Sequence, residues 1–141
     1  MAAQGPGPEE WMYPEDLKYT KEHEWARMDG NTVVVGITHF AQDALGDIVY
    51  VDLPAPGTEV SSMQPFGEVE STKSVSDVYS PVTGTIVERN ATLEDQPELV
   101  NQDPYNAGWM VKIEVSDPAE LERLLSAADY QRFLETESEA K

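Results

Sequence analysis

The chain has 141 residues, 40% of them hydrophobic, with 27 acidic residues against 9 basic ones, a formal net charge of −18 and an isoelectric point near 4.1. That length suits one compact domain with a modest core, and that charge repels phosphate backbones and anionic lipid, so neither nucleic acid nor a membrane is an expected partner. The absence of cysteine excludes disulfides, thiol nucleophiles and thiolate metal sites; with only His23 and His39 a zinc site would draw mostly on carboxylates, so no metal is expected.

Residues 1–13 read as a flexible tail or expression scar, loose at Gln4-Gly5-Pro6-Gly7-Pro8 and without the basic and apolar runs of a signal or transit peptide. A bacterial-type cytoplasmic location is the matching expectation. The Asp29-Gly30-Asn31 turn joins residues 25–28 to a β-branched strand at 32–38 in a hairpin. Thr38 caps a short helix that runs through Leu45 and stops at Gly46, with Phe40, Ala41, Ala44 and Leu45 on one face. Residues 47–53 read as a strand stopped by Pro54-Ala55-Pro56-Gly57, and residues 58–60 open the next.

Extended runs at 66–72 and 75–79 meet at Lys73, and Pro81-Val82-Thr83-Gly84 leads into a strand at 85–89. A looser stretch, 90–108, carries a short helix at 98–101 before a strand at 109–115 closes the sheet. Asp117-Pro118-Ala119-Glu120 places a cap, a proline at the first helical position and an acid at the third, predicting a helix with Leu121, Leu124 and Leu125 inward. Residues 126–129 start a second helix carrying Tyr130, Phe133 and Leu134. The acidic residues 135–141 lack an apolar anchor and are expected to fray, leaving 14–134 as the domain.

Lys73 lies among small hydroxyl residues, Ser71 and Thr72 before it and Ser74 and Ser76 after it, so nothing bulky screens its amine. Taken alone, a lysine between two strands is an ordinary solvated turn residue. Its flanks say more. Glu70, Lys73, Ser76, Asp77, Tyr79, Ser80 and Pro81 follow in an order that resembles the lipoyl-attachment site of the glycine cleavage system H-protein family. The resemblance continues through Tyr19-Thr20-Lys21-Glu22-His23-Glu24-Trp25, Gly36-Ile37-Thr38, Ala41-Gln42-Asp43-Ala44-Leu45-Gly46-Asp47, Val51-Asp52-Leu53-Pro54, Leu99-Val100-Asn101, Asp103-Pro104-Tyr105 and Gly108-Trp109, roughly residues 15 to 135.

The resemblance implies a mainly β, barrel-sandwich hybrid fold of the lipoyl and biotinyl carriers, with a short helix near 38–45 and C-terminal helices. It implies lipoic acid bound covalently to Lys73, with Glu70, Ser71, Thr72, Ser74 and Ser76 as the context read by a lipoyl ligase or a lipoyl/octanoyl transferase. The implied role is that of a non-catalytic carrier. Such a carrier takes the aminomethyl group of glycine from the P protein (glycine dehydrogenase, with pyridoxal phosphate) to the T protein (aminomethyltransferase, with tetrahydrofolate). It passes reducing equivalents to the L protein (dihydrolipoyl dehydrogenase, with FAD and NAD). Glu24 and Asp77, with Glu22 and His23 after them, are implied as a pocket for the loaded arm. The same acids also read as surface charges among 27, and His23 as a hydrogen-bonded histidine at a strand edge.

Biotin carriers place methionines where Thr72 and Ser74 stand, and lipoyl domains of 2-oxo acid dehydrogenases lack the His23-Glu24-Trp25 start and the C-terminal helical pair. Two further classes are a relay passing lipoyl groups to other carriers and a hydrolase built on Glu24 and Asp77. The sequon Asn90-Ala91-Thr92 is too common a pattern to carry weight.

Overall fold

Short β-branched runs punctuated by proline and glycine pair into two antiparallel sheets in the computed structural model, which describes residues 12–139, with side chains described to Thr136. The strands are β1 (Lys18–Tyr19), β2 (Glu24–Asp29), β3 (Thr32–Ile37), β4 (Ile48–Asp52), β5 (Glu59–Val60), β6 (Pro65–Ser71), β7 (Val75–Tyr79), β8 (Gly84–Arg89) and β9 (Val111–Val115). The helices are α1 (His39–Leu45), α2 (Thr92–Asp95), α3 (Leu99–Gln102) and α4 (Ala127–Glu139), with a 3₁₀ helix at Pro118–Arg123. The larger sheet runs β1-β2-β3-β9-β8-β5 and the smaller β4-β6-β7.

Alternation along the strands sets what each face buries. Ala26, Val33, Val35, Ile86, Val111 and Ile113 line one face of the larger sheet and form one core with Val60, Val82 and Leu121. Ile48, Val51, Val69 and Val78 turn inward from the smaller sheet to meet Ile37, Leu93, Val100 and Met110. Trp25 and Val34 face the other way, where Tyr19, Ala127 and Tyr130 cover them. Trp25 is fully buried, donates from Nε1 to Pro104 O at 2.9 Å, and lies across Gly36, where a Cβ would fall 2.7 Å from that nitrogen. Gly36→Ala is therefore expected to cost about 3 kcal/mol by overpacking, read as a lower urea midpoint at unchanged slope.

The mainly β architecture with a short helix after residue 38 and helical structure at the C-terminus is borne out, as two separate antiparallel sheets. Several details differ from the sequence reading. The last strand does not close the sheet but lies in its middle, between β3 and β8, because strand order is set by pairing partners far along the chain. Ala44 is exposed, so α1 buries a narrower stripe than four apolar positions suggested.

The first C-terminal helix is 3₁₀. Asp117 Oδ1 caps it by accepting from Ala119 N at 3.2 Å, but Glu120 turns away to Thr83, whose N–H and hydroxyl donate to it at 2.6 and 2.9 Å. β1 and α2, too short for periodicity to register, were not foreseen. Of the expected tails, residues 1–11 and 140–141 lie outside the described residues. Tyr13 packs edge-on against Tyr130, and α4 runs on to Glu139.

Candidate functional site

The β6–β7 hairpin turns at Thr72, Lys73 and Ser74, and Ser71 determines its shape. Alternation puts Ser71 on the inward side with Val69, so its hydroxyl is buried under the turn. There Ser71 Oγ accepts from Lys73 N at 3.2 Å and Ser74 N at 3.1 Å, while Ser71 N donates to Ser74 O at 2.8 Å. Thr72 N donates outward to Asp47 O at 3.1 Å, pinning the tip to the segment that follows α1. That segment begins at Gly46, whose φ of 86° ends the helix and whose missing side chain leaves a shelf for the lysine stem. A Cβ there would stand 3.2 Å from Lys73 Cε. Ser71→Ala removes the common acceptor of two N–H groups. It is expected to cost about 1–2 kcal/mol and to speed amide exchange at Lys73 and Ser74.

Lys73 is exposed, and no described carboxylate comes within ion-pair range of its Nζ. Two other lysines are engaged: Lys112 lies 3.4 Å from Glu88 and over Trp109, and Lys21 lies over Phe133. The outer face of the hairpin's sheet carries a row pairing Tyr50, Glu70 and Val75 across β4, β6 and β7, and a second row pairing Asp52, Glu68 and Asp77. All six side chains are exposed. Glu70 thus stands between two exposed apolar side chains, and Asp77 in a line of acids.

Glu24 is placed differently. Only 1% exposed, it reaches from β2 to the end of β7, where Oε2 accepts from Tyr79 N at 3.1 Å and Oε1 from Thr20 Oγ1 at 2.5 Å. Burial pushes its carboxyl up to about 7, against the opposing pull of those hydrogen bonds. Thr20 Oγ1 also accepts from Glu22 N and Glu24 N, so one hydroxyl organises the whole turn before β2. Glu22 is exposed. His23, at a φ of 77°, sets Nδ1 2.8 Å from Tyr130 Oη, with Phe40 at 4.7 Å between ring centroids. Tyr130 in turn pairs with Thr38 Oγ1, which caps α1, so His23 joins α4 to α1.

Of the expected pocket residues, Glu24 and Asp77 come together only through β7: Glu24 holds the backbone two residues beyond Asp77, one carboxylate buried and the other exposed. Thr20 and the turn-locking role of Ser71 were missed. Threonine and serine beside turns are too common for type or spacing to single these two out. Asn90 of the sequon is buried, its Nδ2 donating to Ala107 O and Trp109 O. No helix among the described residues is long and apolar enough to cross a membrane.

Two small antiparallel sheets that lift one lysine clear at a capped hairpin form a carrier type of domain, one that presents a group instead of enclosing a substrate. Comparison with known proteins narrows the class. The family model for the glycine cleavage H-protein matches residues 17–137. The glycine cleavage system H protein of Carboxydothermus hydrogenoformans is 54% identical over 128 residues, covering 91% of this chain and 98% of that one; its counterpart from Symbiobacterium thermophilum is 58% identical over 120 residues, covering 85% and 94%. A crystal structure of a glycine cleavage system H protein from Mycobacterium marinum superposes with a TM-score of 0.77 at 43% identity, covering 83% of this chain and 94% of that one. The chain belongs to the glycine cleavage H-protein family, a family of non-catalytic lipoyl carriers.

Proposed function

We propose that this protein carries lipoic acid as an amide on Lys73 and shuttles within the glycine cleavage system. It takes the aminomethyl group of glycine from the P protein to the T protein and delivers reducing equivalents to the L protein. The observation that carries the reading is Lys73, exposed at the tip of a turn locked from beneath by Ser71, in a chain of this family. The site fits such a group: the lysine stem has a clear shelf at Gly46 and its amine has no described carboxylate in range. The bound dithiolane supplies the reversible thiol chemistry that a chain without cysteine lacks.

The chain's own residues supply position. Ser71, Thr72 and Asp47 fix the tip, so the attachment point is rigid while everything beyond Lys73 Cα is free to sweep, which raises the effective concentration of the attached group at a docked enzyme. Glu70, Ser71, Thr72, Ser74 and Ser76 present the tip to a lipoyl ligase or a lipoyl/octanoyl transferase. Glu24 and Asp77, with Glu22 and His23 beside them, are our candidates for receiving the cationic end of the loaded arm. Glu24, held partly neutral near pH 7 by burial, gains charge when a cation is brought against it. We take residues 14–134 as the working unit and the cytoplasm as its location. Incubation with lipoate, ATP and a lipoyl ligase, followed by intact mass measurement and peptide mapping, tests the reading: one modification, on the peptide holding Lys73, is expected, and modification elsewhere counts against it.

A further inference from the structure

The shelf beneath Lys73 is held by one side chain from another part of the fold. Asn101, on α3, spends three hydrogen bonds on the segment 42–48: its Nδ2 donates to Gln42 Oε1 and Gly46 O, both at 2.9 Å, and its Oδ1 accepts from Ile48 N at 2.9 Å. These contacts bracket Asp47, whose carbonyl takes the Thr72 N–H, and they fix Gly46, over which the Lys73 stem lies. Gln42 is itself buried and bonded to His39 O, so the clamp backs onto α1 and cannot shift alone. An asparagine fits because it offers donors and an acceptor on one planar group, matching two carbonyl-type oxygens and one N–H.

We infer that Asn101 is a positioning residue for modification of Lys73, setting the hairpin tip through Gly46 and Asp47 without touching the lysine. This rests on the reading of Lys73 as the attachment site. A tip that is no longer held presents the amine correctly for only part of the time, which weakens apparent binding of the chain to the enzyme that modifies it. No other described side chain bonds to both Gly46 O and Ile48 N.

The test compares wild type with Asn101→Asp, which keeps the size of the side chain and the acceptor for Ile48 but turns an acceptor toward Gly46 and Gln42. In lipoylation by a purified lipoyl ligase, the KM for the chain is expected to rise about 10-fold with kcat within about twofold. Amide exchange at Thr72 should quicken by a similar factor while Ile86 and Ile113 keep their protection. Should Asn101→Asp fail to fold, Gln42→Ala, which removes one acceptor of the clamp, decides by the same two readouts with a smaller change. An unchanged KM in a folded variant overturns the proposal, as does exchange that quickens at Thr72, Ile86 and Ile113 together, the mark of general loosening. A wild-type chain that is not modified at Lys73 sinks the attachment reading and this inference with it, whereas the variant outcomes bear on Asn101 alone.

Discussion

Lys73→Arg is expected to leave a lipoyl-ligase reaction at its unmodified mass and to support no glycine cleavage when mixed with P, T and L proteins. The substitution keeps charge and length, and the bonds that shape the turn use the backbone of Lys73 and the hydroxyl of Ser71, neither of which changes. An exposed turn position also makes the change nearly neutral for folding, within about 0.5 kcal/mol. What changes is the chemistry of the nitrogen. A lysine amine becomes a nucleophile once it loses a proton, whereas a guanidinium does not give up its proton in a protein and spreads its lone pairs over three nitrogens. Lys21 and Lys112 are less suited as substitutes: each lies over an aromatic ring, Lys112 also lies 3.4 Å from Glu88, and neither sits in the Glu70-to-Pro81 run that surrounds Lys73. Lipoylation of the variant at one of them, or wild-type turnover in the reconstituted system, would contradict the assignment.

The hairpin was legible in the sequence because every device that makes it is local. Two runs with period-2 alternation flank a polar tip; the observed Pro65–Ser71 starts and ends one residue before the expected 66–72, and Val75–Tyr79 matches its expected bounds. The same holds for α1, where Thr38 accepts from Ala41 N and Gly46 closes the last turn onto Gln42 O, as the cap residues predicted. The C-terminal start signal was only half informative. Asp117 caps as expected, but the acid three places on had a better offer from Thr83, 37 residues away in sequence, and the helix tightened to 3₁₀. A capping box is a local preference worth about 1 kcal/mol, and a tertiary partner with two donors outweighs it.

The supports of the site were not legible, for the same physical reason in each case. Asn101 meets Ile48 across 53 residues and Glu24 meets Tyr79 across 55, so neither spacing nor composition carries the contact. Resemblance marked Glu24 as a pocket acid, but its depth is a property of the packed fold: the turn before β2 folds its carboxyl under Thr20, and the edge of β7 covers it. The carrier is thus an exposed lysine on a hairpin held by three polar side chains, buried Ser71 and half-buried Asn101 at the tip and buried Glu24 at the root of β7.

Glu24 gives the root of that hairpin a dependence on pH whose sign can be worked out. Its carboxyl titrates at about 7 in the folded protein against an ordinary 4.5, with burial as the main cause. Between those values the folded chain holds a proton that the unfolded chain has lost, so stability falls as pH rises through the interval and levels off above 7. The interval corresponds to roughly 3 kcal/mol. Glu24→Gln keeps an acceptor for Tyr79 N and can still pair with Thr20, but has no charge to bury. It is expected to match wild type within about 1 kcal/mol near pH 4.5 and to be more stable by roughly 3 kcal/mol at pH 8, as the wild-type curve falls and the variant's does not. Glu24→Ala separates the two roles of the carboxyl. It also removes the charge but strands Tyr79 N and Thr20 Oγ1, which costs about 2–3 kcal/mol at low pH. Urea unfolding of the three proteins at matched ionic strength from pH 4.5 to 8 measures this directly. Parallel curves for wild type and Glu24→Gln would mean that the carboxyl is not held near neutral by burial. A gap that opens with pH would show that the chain gives up stability to keep a carboxyl buried against the end of β7.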